Sequence, residues 1–268
     1  MTTARIYIAT HKKYNLSDCL KQKGYEVISM GNACGSNEGA DDNTGDNISF
    51  KNSNFCELTA LYWIWKNGEG GSYRGFCHYR RYFTKAAISQ KEQYFVGAEE
   101  IEQYFAEKYE YILPYKSRYV RNADYNYLKT GRKKDLNTLR DVIQEKYPEY
   151  IKDFDYIMSH NWSYLTNMMI TTYEKWNLYC EWLFDILFEV ERRTDLNGYS
   201  AAEERIYGYM SERLLSVWII HNRCKVKEMR SVNIEERQNI RYLFREVLIK
   251  LKLYQLGKTI LWRLKVIK

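Results

Sequence analysis

The pentapeptide His78-Tyr79-Arg80-Arg81-Tyr82 puts an imidazole, two guanidinium groups and two phenols in five consecutive positions. Core-building does not require that grouping. A guanidinium pairs with phosphate oxygens as a bidentate fork and keeps its charge at any physiological pH. Aromatic faces stack on ring-bearing ligands. The segment therefore suits a phosphorylated, ring-bearing ligand, and a nucleotide sugar meets that description. Beside two arginines His78 favours its neutral form, because like charges penalise protonation, and it can then donate a hydrogen bond or act as a base. In one extended strand Tyr79 and Arg81 would face one side, and His78, Arg80 and Tyr82 the other.

The elements that must position this segment alternate between strand and helix. Residues 5–10 and 25–30 read as buried strands, and residues 31–46, rich in Gly, Asn, Asp and Ser, as a long loop. A helix over 55–66 is expected, with Asn54 as its N-cap and Glu57 closing a capping box. On that reading Glu57 is a cap and not a catalyst. Residues 75–83 read as one strand, 110–113 as another, and 115–134 as a flexible loop. Helices are expected over 148–159 and 173–193, with a strand over 164–171 between them. Ser200 and Glu203 form a second capping box, opening a helix whose apolar stripe is Ile206, Met210, Leu214 and Val217. Residues 226–232 make a last strand. The expected fold is α/β: a single domain over residues 1–233, with a mostly parallel central sheet covered by helices on both faces. Residues 234–268 follow as a basic amphipathic helical tail.

The pieces GDNIS, CELTALYWIWKN and GFCHYRRYF resemble the signature of a bacterial family encoded in capsular and exopolysaccharide gene clusters. EYILP, SYLTNMMI, YCEWLFDIL and RIYGYMSERLL continue the resemblance, which covers residues 4–222. That family was long catalogued as a domain of unknown function, and its members are regarded as glycosyltransferases, some of them galactofuranosyltransferases. The resemblance implies a GT-A-like domain that moves a sugar, galactofuranose or another hexose, from a nucleotide-diphosphate donor to a glycan acceptor.

Such an enzyme must hold a diphosphate and stabilise its charge on departure. Arg80, Arg81 and Tyr79 are assigned to the donor, with Thr10 and His11 at the end of the first strand and Asp46 and Asn47 at the end of the long loop. Asp46-Asn47 serves equally well as a local cap. An inverting transferase also needs a carboxylate to take the acceptor's proton. Glu212 and His78 are the catalytic candidates. Asn167, Arg205 and Arg213 are placed at the acceptor or behind the reacting groups. Asp153-Phe154-Asp155 is the one Asp-x-Asp match, but on a helix its carboxylates point to different faces, so no metal ligand is assigned. HYRRY supplies positive charge instead. A divalent Mn or Mg ion stays open as a cofactor.

The composition fits a folded chain: of 268 residues, 28% are charged and 45% apolar. The six cysteines form no C-x-x-C pair, and the chain starts without an export signal, so they are expected as reduced thiols in a cytosolic protein. No stretch of about 18 apolar residues predicts a membrane span. Charge is uneven. Residues 237–268 hold nine Lys or Arg and one acid, Glu246, or +8 of the total +7, which leaves −1 for residues 1–236. Interleaved with Leu, Ile, Val and Trp262, that tail is expected to lie on an anionic membrane, where lipid-linked acceptors are found, the alternative being a helix packed on the domain or on a partner subunit. The partners expected are a nucleotide sugar, foremost a UDP-sugar, a lipid-linked oligosaccharide, and the inner face of the cell membrane. A nucleic-acid-binding protein and a non-catalytic membrane-associated scaffold are the competing readings. Against the first, the basic charge is confined to the tail and no nucleic-acid motif occurs.

Overall fold

A computed structural model describes residues 4–237. Of the expected helical tail over 234–268, residues 234–237 are described and form a turn and bend, not helix; residues 238–268 lie outside the described residues. The domain opens with β1 (Ala4–Thr10), α1 (Asp18–Gln22), β2 (Tyr25–Ser29) and β3 (Ala40–Asp41). Next come α2 (Asn52–Phe55), α3 (Leu58–Asn67), β4 (Tyr73–His78), β5 (Arg81–Thr84) and α4 (Ala98–Ala106). The middle holds β6 (Tyr111–Pro114), β7 (Ser117–Arg118), α5 (Ala123–Tyr127), α6 (Lys133–Lys146) and α7 (Ile151–Ser159). It closes with β8 (Trp162–Ser163), β9 (Met169–Thr172), α8 (Tyr173–Arg193), α9 (Ile206–His221) and β10 (Val226–Asn233).

The α/β class holds, but the sheet is mixed. β3, β2, β1 and β4 run parallel as an open wing. β4 then pairs antiparallel with both β5 and β9, and β10 and β6 complete a ring. The strands β4-β5-β10-β6-β9 thus close into a five-stranded barrel that shares β4 with the wing. The expectation of a mostly parallel sheet is corrected on this point. It failed because β5 returns through the tight turn at Tyr79-Arg80, which permits antiparallel pairing, and because β9 enters the sheet antiparallel to β4 and β6.

β1 is buried on both faces, as a central strand must be. Tyr7 and Ala9 pack toward α3, α8 and α9, while Ile6 and Ile8 pack toward α1 and the barrel. The 21-residue α8 begins where Thr172 accepts from the Lys175 backbone and ends with Arg192 and Arg193 in its last turn, which suits the helix dipole.

Four local readings change. The expected strand over 75–83 is a hairpin, β4 and β5, turning at Tyr79-Arg80. The helix over 55–66 is two helices, broken at Cys56, whose φ of +54° a non-glycine residue rarely adopts. Asn54 is therefore no N-cap; its Nδ2 donates to the Glu204 carbonyl. The expected loop over 115–134 contains β7 and α5. The expected strand over 164–171 starts only at Met169, because Thr166 and Asn167 take positive φ. Two helices, α4 and α6, were not anticipated.

Candidate active site

The parallel strands β1, β2 and β4 end at one edge of the sheet. In open α/β sheets ligands collect beyond the carboxyl ends of the strands. A cavity of 460 Å³ opens there. His11 and Met30 line it just past β1 and β2, and His78, Tyr79, Arg80 and Arg81 enter from the β4–β5 hairpin. Asn52, Cys56 and Glu57 come from the α2–α3 junction, and Thr166, Arg205 and Glu212 from the opposite wall.

The hairpin turn decides which groups arrive. Had residues 78–82 stayed extended, the two arginines would have parted to opposite faces. Instead both line the cavity. Arg80 lies 3.7 Å from Glu235 and near the Tyr79 ring. Arg81 is partly buried, and its guanidinium forms no hydrogen bond or ion pair with any described residue. Burial, then Arg80, depresses its pKa. It stays cationic, because an arginine does not deprotonate in proteins. Tyr79 is held between Lys12, 4.3 Å from its ring centroid, and His11, edge-on at 5.1 Å. Burial, followed by Lys12, Arg80 and Arg205, lowers the His11 pKa. Thr10 is fully buried and does not line the cavity; its hydroxyl bonds the Lys12 backbone and shapes the turn that presents His11.

His78 meets the Thr166 carbonyl through Nε2 at 2.7 Å. A carbonyl only accepts, so Nε2 carries the proton. Burial pushes the His78 pKa below its ordinary value; Glu57 and the Thr166 carbonyl oppose this, and Arg81 and Arg80 reinforce it. The ring is neutral at pH 7, with its lone pair on Nδ1.

Thr166 serves two groups at once. Its backbone N–H donates to Glu212 Oε1 at 3.0 Å while its carbonyl holds His78. Both Thr166 and Asn167 sit in left-handed backbone, at φ +76° and +51°. Asparagine tolerates that region, whereas a β-branched threonine is strained in it. Asn167 is buried, and its amide bridges the walls: Nδ2 donates to Glu57 Oε1 at 2.9 Å, and Oδ1 accepts from Ser211 at 3.1 Å. It therefore lies in a turn behind the cavity. Arg213 also lies behind, with 4% of its side chain exposed. It pairs with Glu212 Oε2 at 3.0 Å and donates to Asn126 and the Tyr209 carbonyl. Burial raises the Glu212 pKa, and Glu57 adds to that; Arg213, the Thr166 N–H and Arg81 pull the other way.

Asp46 and Asn47 fall outside the cavity lining. Asp46 accepts from the Tyr62 hydroxyl at 3.1 Å, and its backbone pairs twice with the Asn67 amide. Gly45 makes that approach possible: at φ +57°, a Cβ there would meet Asn67 Oδ1 at 2.2 Å. Asn47 caps Ser49. These contacts pin the long loop to α3. Asp153 and Asp155 sit on α7, as expected, and diverge: Asp153 to His221 at 2.9 Å, Asp155 to Arg140 at 2.7 Å. Among the described residues no three His, Cys, Asp or Glu side chains converge as a ligand set for a divalent ion, and no helix is long and apolar enough to cross a membrane.

Sequence reasoning missed Glu57 and Cys56 as lining groups. The break at Cys56 turns Glu57 into the cavity in place of a capping box. No glycine marks that break, so the sequence carried no signal for it.

A wing of parallel strands joined to a closed barrel has a solved counterpart. The fold is similar to the apo structure of WbbM, a bifunctional glycosyltransferase, with a TM-score of 0.73 and 30% identity over 88% of this chain. The chain spans about half, 46%, of that protein. The mannosyltransferase Ktr4p from S. cerevisiae aligns over 79% of this chain and 62% of its own, at 12% identity and a TM-score of 0.34, too low to establish a shared fold. The profile described as "Domain of unknown function (DUF4422)" matches residues 5–223, and the chain belongs to that family. No curated protein matches it.

Proposed function

We propose that the chain is a glycosyltransferase of GT-A-like design. It moves a hexosyl group, galactofuranose among the candidates, from a nucleotide-diphosphate donor to a lipid-linked glycan of a capsular or exopolysaccharide pathway. One observation carries this reading. Arg81 brings guanidinium donors that pair with no described residue into a cavity that also holds Arg80, Arg205, Glu57 and Glu212. Such an arrangement binds a diphosphate through its cations and offers a carboxylate to a hydroxyl. The likeness to part of a bifunctional glycosyltransferase supports it. His11, exposed where it lines the cavity, would give the donor's rings a flanking face, with the buried Tyr79 ring supporting it edge-on. The basic tail, residues 237–268, would hold the enzyme on the cytoplasmic face of the membrane beside its acceptor.

The test is calorimetric titration with UDP, GDP and dTDP, together with hydrolysis of a panel of nucleotide sugars. At least one diphosphate should bind at micromolar level, and its sugar conjugate should be slowly hydrolysed. A folded protein that binds no nucleoside diphosphate and hydrolyses no donor overturns the proposal.

A further inference from the structure

The cavity holds two carboxylates, and the structure treats them differently. Glu212 is engaged through both oxygens, Oε1 by the Thr166 N–H and Oε2 by Arg213. A guanidinium at 3.0 Å on one oxygen opposes proton uptake at that atom. Glu57 is engaged through one oxygen only: Oε1 accepts from Asn167, and among the described residues Oε2 accepts from none. The Asn167 amide is fixed in turn by Ser211 and by a left-handed turn that also holds His78 and Glu212. One carboxylate is thus locked as framework. The other is oriented by a single neutral hydrogen bond, with an oxygen left to work.

We infer that Glu57 is the base that deprotonates the acceptor, and that Asn167 is the positioning residue that aims it. The inference rests on the transferase reading above. The acceptor hydroxyl gives its proton to Glu57 Oε2, and its oxygen forms a bond to the donor's anomeric carbon. The bond from that carbon to the diphosphate oxygen breaks, and the nucleoside diphosphate leaves with the electron pair, its charge met by Arg81 and Arg205. Glu212 keeps the Thr166–Asn167 turn in place. Geometry comes before pKa in choosing a base, and the geometry points to Glu57, although burial raises the Glu212 pKa.

The experiment compares Glu57→Gln, Glu212→Gln and Asn167→Ala in full-length protein, using the nucleotide sugar that the wild type turns over. Glu57→Gln keeps an acceptor for Asn167 and removes the base. Its kcat should fall at least about a hundredfold, with nucleoside-diphosphate affinity unchanged within threefold. The acid limb of its rate-against-pH profile should disappear. Glu212→Gln should run slower at every pH but retain that limb. Asn167→Ala should lower kcat with little change in KM for the donor, and also retain the limb. An acid limb that survives in Glu57→Gln, or vanishes in Glu212→Gln alone, overturns the assignment. Circular dichroism and diphosphate titration on each variant separate loss of the base from loss of the fold. A wild type that binds no diphosphate fails the transferase reading itself and takes the assignment with it.

Discussion

Arg205 donates through Nε to the sulfur of Cys56 at 3.1 Å, joining the start of α9 to the break between α2 and α3. The thiol's pKa is raised by burial and by Glu57, with Arg205 pulling against them. At pH 7 the sulfur is therefore a neutral acceptor. It orients the guanidinium without cancelling its charge, and leaves Arg205 a cation toward the cavity.

Cys56 should accordingly react slowly with iodoacetamide at pH 7, because the thiolate is the nucleophile and little of it is present. A nucleoside diphosphate that engages Arg205 should slow the reaction further. Peptide mapping by mass spectrometry with and without the nucleotide reads this directly. Fast labelling, indifferent to nucleotide, would place Cys56 away from the ligand.

Arg81→Ala and Arg205→Ala should each weaken diphosphate binding by roughly 10- to 150-fold, the cost of one charge-assisted contact of about 1.5–3 kcal/mol. The Arg81 guanidinium bonds to no described residue, so truncating the side chain should leave the melting temperature nearly unchanged. Arg81→Lys should recover binding only in part, because an ammonium cannot reproduce the bidentate fork. Wild-type affinity in both alanine variants would remove the phosphate role.

Acidification should destabilise the fold through His78. Its folded pKa lies below the unfolded value of about 6.5. The unfolded chain therefore takes up the proton first. The stability contributed by the neutral ring is present above about pH 6.5 and is lost as pH falls through the folded pKa. Melting temperature against pH should decline on that side more steeply in the wild type than in His78→Gln. Parallel curves would show that the ring is not held neutral by its surroundings.

Turnover should survive EDTA. The cavity supplies its positive charge from Arg80, Arg81 and Arg205, and the one Asp-x-Asp match is already engaged by His221 and Arg140. Loss of activity in EDTA that Mn²⁺ or Mg²⁺ restores would reveal a metal requirement met in some other way.

Removal of residues 238–268 should release the protein from anionic vesicles, because that segment holds eight Lys or Arg against one acid, Glu246, or +7, and each basic residue near such a surface contributes about 1 kcal/mol. Donor hydrolysis should persist, since the described residues that line the cavity all lie upstream. Full-length binding should weaken as salt rises. Full-length protein that ignores anionic vesicles at low salt would end the membrane assignment.

The framework was legible wherever one period dominated. β1, β2 and α8 stand within a residue or two of their expected places, because apolar runs and a long helical stripe have few competing solutions. Arg80, Arg81, His78, Arg205 and Glu212 were picked out by residue type and do share a cavity. Residues 78–82 read as a strand because Tyr79-Arg80 lacks the Gly, Asn or Pro that announces a turn. Glu57 read as a cap because Asn54 stands three residues before it, and positive φ at Cys56 has no sequence mark. Asn167 read as strand because SYLTNMMI is mostly apolar. α6 was overlooked although Leu136, Leu139, Val142 and Ile143 follow helical spacing, since the basic run before them suggested loop. Apart from α6, these misses lie where tertiary contacts hold a backbone that local preference would not choose.

Closure of the barrel has a further consequence for life at high concentration. A free sheet edge presents unpaired N–H and C=O groups that can recruit a second copy. Among the described residues the larger sheet ends at β3, two residues long, because β9 returns to pair with β4 at the other end. That border is β3 together with residues 25–27 of β2, which β3 does not pair, a short template for strand-to-strand recruitment. Chains crowded together should therefore resist fibrillar self-association, despite an aromatic content of 16%.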